Sequence, residues 1–160
     1  MKIETIDISR EVGTVGDLIR LAFSEVAGRM GFTRENSPTY PAFIENQRLL
    51  GQLDRPEACA MGIREEGKLV GFVAVAPHGD FYEITRLAVD PAYRHRGYGR
   101  ALMDAACDAA RGMGLSEIGL GVVNENTVLK KWYEAQGFVP GEPFSIPNAA
   151  FTACGMLKRL

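Results

Sequence analysis

The chain has 160 residues, a formal net charge of −2 at pH 7 and 3 cysteines. That length suits one domain whose core is large enough to fold without disulfides, so we predict a single domain over residues 1–160. Because the basic residues gather mainly near one turn, there is no broad cationic face for binding nucleic acid by charge, and an anionic small molecule fits better as a partner.

Cysteine and histidine usage argues against a metal site. Cys59, Cys107 and Cys154 lie far apart, are odd in number and lack metal-ligand spacing, and the chain has only 2 histidines. Reduced thiols fit the cytoplasm best. The N-terminus has no apolar signal-peptide core, and no run of about 18 apolar residues occurs. The sequence therefore predicts a cytoplasmic protein with neither a metal nor a membrane partner.

The first third of the chain predicts a short strand and two helices. Residues 2–8 are typical of a strand, and apolar residues then recur at helical spacing. Thr14, with Asp17 three residues later, predicts a capping box at the start of this first helix, and Gly31 predicts its end. A weaker helix is expected from about residue 39 to residue 53.

Three strands are expected next, over residues 58–64, 69–76 and 81–89. Short turns at residues 65–68 and 78–80 favour hairpin connections, so the three strands should form an antiparallel meander. The middle strand is apolar on both faces. This pattern indicates a central strand that is covered by helices on each side of the sheet.

The second half of the chain predicts a βαβ unit followed by further strands. A helix after the third meander strand ends near Gly112, and residues 117–123 form the next strand, so a right-handed crossover is expected. A short helix over residues 127–135 precedes strands near 138–146 and 151–158. The predicted fold class is therefore α/β in the mixed α+β sense, with helices on both faces of one sheet.

The turn that opens the βαβ helix has the features of an anion site. Strand 81–89 stops at Asp90-Pro91, because proline has no N–H to donate. At a helix N-terminus the first N–H groups lack partners and the macrodipole is positive, so a pyrophosphate would be stabilised there. Glycine lets the main chain approach an anion closely. An ordinary surface turn would share some of these features. The residues concerned are Arg94, His95, Arg96, Gly97, Tyr98, Gly99 and Arg100.

The spacing Arg-x-x-Gly-x-Gly at residues 94–99 resembles the acyl-CoA-binding motif of the GCN5-related N-acetyltransferase (GNAT) family. A second element of that family resembles Asn126, Tyr133 and the pair Gly137-Phe138 at their spacing here. Leu129 and Trp132 depart from the family pattern, where alanine and leucine are usual. Together the two elements span residues 83 to 138.

The resemblance implies a GNAT-like, mostly antiparallel sheet whose central βαβ unit binds acetyl-CoA. The pantetheine arm would lie where the strand ending in Leu87, Ala88 and Val89 splays from the strand at 119–123, and would bond to the exposed ladder groups. The diphosphate would rest on the N–H groups of residues 95–100. Asn126 would lie near the coenzyme, or cap the short helix, or do both.

Two residues are the candidates for proton transfer. The resemblance implies Tyr133 as the acid that protonates the departing thiolate, and packing beside Trp132 is its other explanation. A phenol with an ordinary pKa of about 10 is suited to that exchange. Glu83 is the candidate base because it lies four residues before Leu87, and so is expected on the same strand face. A carboxyl with an ordinary pKa of about 4.3 needs burial or a water relay for that task, and a solvated carboxylate or a hook for a cationic amine is the other interpretation.

The function predicted is N-acetyl transfer from acetyl-CoA to an amine, by direct attack in a ternary complex. Arg34, Glu35, Asn36 and Tyr40 are expected to border the acceptor pocket, and the family resemblance makes a homodimer plausible. A non-catalytic acyl-CoA sensor is the main alternative. A dinucleotide-binding oxidoreductase fits less well, because Leu102 occupies a position that requires Gly or Ala, and no nucleoside-triphosphate motif is present.

Overall fold

The computed structural model describes residues 1–160 as one seven-stranded sheet flanked by four α-helices. The strands are β1 (Ile3–Thr5), β2 (Cys59–Glu65), β3 (Lys68–His78), β4 (Phe81–Val89), β5 (Glu117–Val123), β6 (Val139–Ser145) and β7 (Thr152–Arg159). The helices are α1 (Ile8–Met30), α2 (Asn46–Leu53), α3 (Tyr98–Gly112) and α4 (Thr127–Ala135), with short 3₁₀ helices at Pro41–Phe43 and Pro91–Tyr93. None of these helices combines the length and apolar character that crossing a membrane requires.

The strand order is β1-β2-β3-β4-β5-β7-β6, and every neighbouring pair is antiparallel except β4 with β5. This confirms the mixed α/β class, the predicted meander and the βαβ unit. The parallel pair is joined at a single register position, Glu83 opposite Gly119. Beyond that position β4 and β5 diverge, and the divergence is where a groove can form.

The sheet is buried on both faces, as the sequence of β3 predicts. Val73 and Val75 pack in one core cluster with Leu102 and other residues of α3. Phe72 and Ala74, which alternate with them, pack in a second cluster with α1 and α2. Each face of the sheet therefore has its own helical layer, called here the α3 face and the α1/α2 face.

Helix α1 begins earlier than the sequence predicts. Its N-cap is Asp7, whose carboxylate accepts a hydrogen bond of 3.0 Å from the Ser9 N–H. The predicted capping box is wrong, because Thr14 lies inside the helix, and Asp17 instead forms an ion pair with Arg20 at 2.9 Å. The predicted end is confirmed, since Gly31 adopts the left-handed conformation with φ of 75° that commonly closes a helix.

Helix α2 is shorter than predicted. The expectation of a helix from residue 39 is wrong, because Pro41 to Phe43 form an isolated 3₁₀ turn and the α-helix starts only at Asn46. Proline has no N–H and is tolerated only in the first turn of a helix. Ile44 after the 3₁₀ turn is extended, so the two helical pieces are separated.

A β-bulge in β4 sets which side chains face which layer. Ala74 is paired with Thr85, but the next pair is Phe72 with Ala88, so Arg86 and Leu87 together stand opposite one residue of β3. Arg86 has a φ of 57°, in the left-handed region. The extra residue reverses the alternation of faces along the strand.

Candidate active site

A cavity of about 720 Å³ opens where β4 and β5 diverge. Its walls come from the end of β4, the second half of α1, the turn before α3 and helix α4. Most of the predicted site residues meet in this one space. Those in its lining are Leu87, Ala88, Val89, Arg94, His95, Gly97, Tyr98, Gly99, Arg100, Asn126 and Tyr133, whereas Arg96 and Glu83 lie outside it.

The turn that leads into α3 is organised by the buried carboxylate of Asp90. This side chain accepts a hydrogen bond of 2.9 Å from the Ala92 N–H and pairs with Lys68 at 2.9 Å. Burial by itself would raise the pKa of Asp90, but the hydrogen bonds from Lys68 and Ala92 outweigh it and leave that pKa below its ordinary value. The first residues of the turn are therefore fixed by an ionised group.

Gly97 makes the transition from the turn into α3. It is the N-cap of the helix, has a φ of 83° and offers no side chain to cap the first N–H groups. A side chain at Gly99 would reach 3.7 Å from the ring of Trp132, on the cavity wall. The helix therefore presents uncapped N–H groups beside the cavity, which is the arrangement that an anion requires.

The three arginines of the turn are held differently. The Arg94 guanidinium donates hydrogen bonds of 2.8 Å to the Glu25 carboxylate and 2.8 Å to the Ala22 carbonyl, so it ties the turn to α1. Arg96 stacks on a tyrosine ring at 4.9 Å. Arg100 pairs at 3.3 Å with an acidic side chain one turn further along α3, and both groups are exposed. Arg100 is the one of these that both lines the cavity and stays largely free to move towards an anion.

Tyr133 lies on the opposite wall, in α4. Its side chain is buried, with the Trp132 ring at 5.3 Å and the Phe138 ring at 6.0 Å, both edge to face. Burial raises the pKa of the Tyr133 hydroxyl well above its ordinary value. The phenol therefore stays protonated at any physiological pH and has a proton to give.

Asn126 has the capping role that the sequence allowed for. Its side-chain oxygen accepts a hydrogen bond of 3.3 Å from the Leu129 N–H at the start of α4. The same residue lines the cavity. Contact between Asn126 and a coenzyme stays a prediction.

Glu83 lies on a different face from the one expected. It is paired with Ala76, a member of the α1/α2 cluster, whereas Leu87 packs against the α3 cluster. The expected common face of Glu83 and Leu87 is therefore wrong, and the reason is the bulge between them. The Glu83 side chain is 31% exposed, with its carboxylate 3.9 Å from His78, so it remains accessible from the α1/α2 side of the sheet.

The sequence missed Arg86, which occupies the bulge itself. Its Nη2 donates a hydrogen bond of 2.8 Å to the side-chain oxygen of Gln52 in α2, while its Nε is buried and has no partner. Burial, and then the charge of Arg48, lower the pKa of Arg86 to about 10, and the charge of Glu83 opposes that change. No motif marks this arginine, because the bulge that places it depends on the pairing of β4 with β3.

Of the loop residues expected beside an acceptor pocket, only Tyr40 lines the cavity. It is buried and contacts the rings of Phe23, Phe32 and Phe151 edge to face, with centroids 4.9 to 5.9 Å apart. Asn36 instead closes a local turn by accepting a hydrogen bond of 2.8 Å from the N–H three residues before it. Tyr40 and Phe23 therefore form an aromatic part of the cavity wall.

The chain is similar in sequence to known acetyltransferases. Residues 21–138 match the model of the family described as "Acetyltransferase (GNAT) family". The N-alpha-acetyltransferase RimI of Mycobacterium tuberculosis is 34% identical over 91 residues, which cover 54% of this chain and 56% of that protein. The mycothiol acetyltransferase of Beutenbergia cavernae is 45% identical over 58 residues, covering 36% of this chain and 20% of that protein. The chain thus spans between a fifth and about half of the length of these curated relatives.

Solved structures share the whole fold. The PaiA N-acetyltransferase of Thermoplasma acidophilum, crystallised in complex with coenzyme A, aligns over 100% of both chains with a TM-score of 0.77 at 21% identity. The ribosomal-protein-S18-alanine N-acetyltransferase of Escherichia coli aligns over 99% of this chain and 92% of its own, with a TM-score of 0.75 at 17% identity. At this level of identity the likeness concerns the fold.

Proposed function

The chain belongs to the GNAT family of acetyltransferases, and on that premise we propose that it transfers an acetyl group from acetyl-CoA to an amine by direct attack in a ternary complex. The observation that carries the proposal is the cavity between the end of β4 and helix α4, beyond the one position at which β4 pairs with β5. It brings the uncapped start of α3 and the protonated phenol of Tyr133 to the walls of one space.

The coenzyme would occupy this cavity along its length. The diphosphate would accept hydrogen bonds from the N–H groups of residues 95–100, with Arg100 adding charge. The pantetheine arm would run along Leu87, Ala88 and Val89, whose ladder groups towards β5 have no partner strand because the pair is joined only at Glu83. Unpaired ladder groups bind an extended chain of amides in the way that they bind a neighbouring strand. The volume of about 720 Å³ suits such a ligand.

In the chemical step, the neutral amine attacks the thioester carbonyl carbon, so that a C–N bond forms and the C–S bond breaks. The electron pair of the broken bond stays on sulfur, and the Tyr133 hydroxyl gives the thiolate its proton. The Tyr133 hydroxyl is protonated before the reaction starts, but burial raises its pKa and makes that proton harder to give. The assignment is therefore supported by the place of Tyr133 in the cavity wall and requires the thiolate to lie within hydrogen-bond reach. Glu83 would take the proton of the amine through water, since it lies outside the cavity lining.

The other features of the chain support the wider proposal. One continuous sheet joins strands from Ile3 to Arg159, which favours a single domain over residues 1–160. The three cysteines are free and two of them are buried, as in a reducing compartment such as the cytoplasm. The homodimer that the family resemblance implied stays a prediction.

The test combines coenzyme binding with turnover. Calorimetry should detect uptake of coenzyme A and of acetyl-CoA, and a panel of amines should release free thiol from acetyl-CoA. Tyr133→Phe removes the donated proton but keeps the packing, so we expect kcat to fall about 100-fold or more with the coenzyme Kd unchanged. Tyr82→Phe is the matched control, because Tyr82 packs against the same core cluster but lies outside the cavity lining.

Each outcome separates the candidate functions. If no coenzyme is taken up by folded protein, the transferase proposal is wrong. If coenzyme binds but no amine releases thiol, the chain is a non-catalytic acyl-CoA-binding domain. If Tyr133→Phe and Tyr82→Phe lose the same small fraction of activity, Tyr133 is a packing residue and not the acid.

A further inference from the structure

Arg86 has an energetically unfavourable backbone conformation. It stands in the β4 bulge with a φ of 57°, a conformation that costs a residue other than glycine about 1–2 kcal/mol. Its hydrogen bond to Gln52 in α2 places the guanidinium on the α1/α2 face. Glu83 points to the same face, through its pairing with Ala76. The bulge therefore brings a cation and a carboxylate to the side of β4 opposite α3.

Arg86 is half-buried, its Nε is buried, and it has no carboxylate partner within ion-pair distance. None of the ion pairs in the structure includes it. Elsewhere the chain supplies carboxylates to its half-buried arginines: Arg64 pairs with two glutamates and Arg94 with one. An unpaired buried charge is costly. Arg86 thus has no ion-pair partner within the protein, whereas Arg64 and Arg94 have one.

The contacts of Arg86 leave one of two neighbouring donors of its guanidinium without an acceptor. Nε and Nη2 form the side of the guanidinium that binds both oxygens of a carboxylate. Here the single side-chain oxygen of Gln52 accepts from Nη2, while Nε has no acceptor. The neutral amide of Gln52 thus occupies only one of the two donors that a carboxylate would use. If the flexible Gln52 side chain swings aside, a carboxylate can accept from both nitrogens.

The charges around Nε and Nη2 of Arg86, called here the Arg86 fork, also favour a carboxylate. Arg48, exposed on α2, adds positive potential at Arg86, and Glu83 is the acidic group that acts on it. An anion is therefore favoured at Arg86 and a cationic amine at Glu83. A molecule that carries an amine and a carboxylate satisfies both positions at once.

We propose that the acceptor amine carries a carboxylate, and that Arg86 determines this specificity by binding the carboxylate through Nε and Nη2 in place of Gln52. The inference rests on the proposed transferase function and names the substrate class of that function. Arg86 and Glu83 lie outside the cavity lining, in the same strand as the residues Leu87 to Val89 that line it. It assigns to Arg86 no part in the bond-making step. Its role is to hold the acceptor so that its amine lies towards Glu83 and the thioester.

The first experiment uses the unmodified protein and acceptors that differ in one group. The pairs are L-alanine with L-alaninamide, γ-aminobutyrate with its amide, and alanyl-aspartate amide with alanyl-asparagine amide. We expect at least one acid to exceed its amide partner about 10- to 100-fold in kcat/KM, because a charge-assisted pair of hydrogen bonds is lost in the amide. Equal rates within every pair overturn the inference.

The second experiment supplies the missing carboxylate from the protein. Gln52→Glu changes one side-chain atom and would occupy the Arg86 fork, so the preference for the acid acceptor should disappear while the coenzyme Kd stays the same. Gln47→Glu adds the same charge at an exposed position of the same helix and should keep the preference. If both variants show the same preference for the acid acceptor, Arg86 does not bind the carboxylate of the acceptor.

Binding decides the case in which no acceptor pair turns over. The same pairs are then titrated calorimetrically into the protein saturated with coenzyme A, and tighter binding of an acid than of its amide supports the inference. Equal or absent binding overturns it. Failure of coenzyme A itself to bind would instead overturn the proposed function, so the two failures are distinguished.

Discussion

The segments on either side of Leu87 form the two approaches to the cavity, and they are built by different means. In residues 90–100 the backbone turns are set by neighbours in sequence, since Asp90 caps the 3₁₀ helix that follows it and Gly97 turns the chain into α3. The side chains of Asp90 and Arg94 then fix this segment to Lys68 and to α1. The segment from Glu83 to Arg86 depends on distant partners. Its faces are set by pairing with β3, and Arg86 bonds to Gln52, which is 34 residues away.

This difference corresponds to the two proposed ligands, since the coenzyme is common to these enzymes and the acceptor varies. A diphosphate is the same in every acyl-CoA, and main-chain N–H groups of a turn are enough to hold it. An acceptor differs from enzyme to enzyme and must be recognised by side chains. Under the proposed function, residues 90–100 form the coenzyme approach and residues 83–86 the acceptor approach. The first can therefore follow a short motif, whereas the second depends on contacts that the tertiary structure of this chain makes.

The largest expected effect on the acceptor approach is that of Glu83→Gln. Loss of a general base lowers rates about 100-fold or more, so kcat/KM for the amine should fall by about that factor while the coenzyme Kd stays constant. The pH–rate profile should change shape, because the carboxylate that is proposed to take the proton is gone. Steady-state kinetics across pH measures both effects.

Glu117→Gln is the control for this change, because it removes one exposed carboxylate from the neighbouring strand β5. Its rates should equal those of the unmodified protein. A Glu83→Gln variant that keeps the original pH–rate profile would leave Glu83 as a solvated carboxylate or a hook for the cationic amine, and would move the base to water.

The next effect tests the coenzyme approach. Gly97→Ala forces alanine into a left-handed φ of 83° and puts a methyl group beside the proposed diphosphate site. We expect stability to fall by about 1–2 kcal/mol and the coenzyme Kd to rise about tenfold, since one charge-assisted hydrogen bond is displaced. Gly114→Ala is the matched control: its φ is 82° and its added methyl group also meets open space, but it lies past the far end of α3.

The two glycine variants should lose similar stability, and only Gly97→Ala should weaken coenzyme binding. Calorimetry and thermal unfolding measure these two quantities separately. Equal coenzyme affinities in the two variants would show that the start of α3 does not hold the diphosphate.

The sequence predicted the parts of the molecule that short-range rules control. Strand β5 and helix α4 lie at the predicted residues, and Gly31 ends α1 as expected. The rules fail where several local solutions compete. The sequence predicted a cap at Thr14, whereas α1 is capped at Asp7, within the residues 2–8 that the sequence predicted as a strand.

The face of Glu83 shows the second kind of failure. Alternation along a strand predicts that residues four apart share a face, and one bulge residue between them reverses the result. Nothing in the residues 83–87 marks that bulge, because Arg86 is not a residue type that favours a left-handed φ. The cavity could be predicted from its motif, but the acceptor side required the register of β4 against β3.

The smallest expected effect concerns how the coenzyme turn is held. Asp90→Ala removes both the cap and the charge, and should lower the free energy of unfolding by about 1 kcal/mol, a fall of about 2–4 °C in Tm. Asp90→Asn keeps a capping side chain and loses only the ionic contact with Lys68, so it should lower the free energy of unfolding by less.

Because the folded pKa of Asp90 is depressed, its ionic stabilisation is present above the unfolded-state pKa of about 4 and is lost as pH falls through the folded pKa. Unfolding measured at about pH 7 and about pH 2 should therefore show a difference between the original protein and Asp90→Asn that vanishes in acid. If the two proteins still differ in free energy of unfolding at low pH, the Asp90 side chain stabilises the turn through its hydrogen bonds and not through its charge.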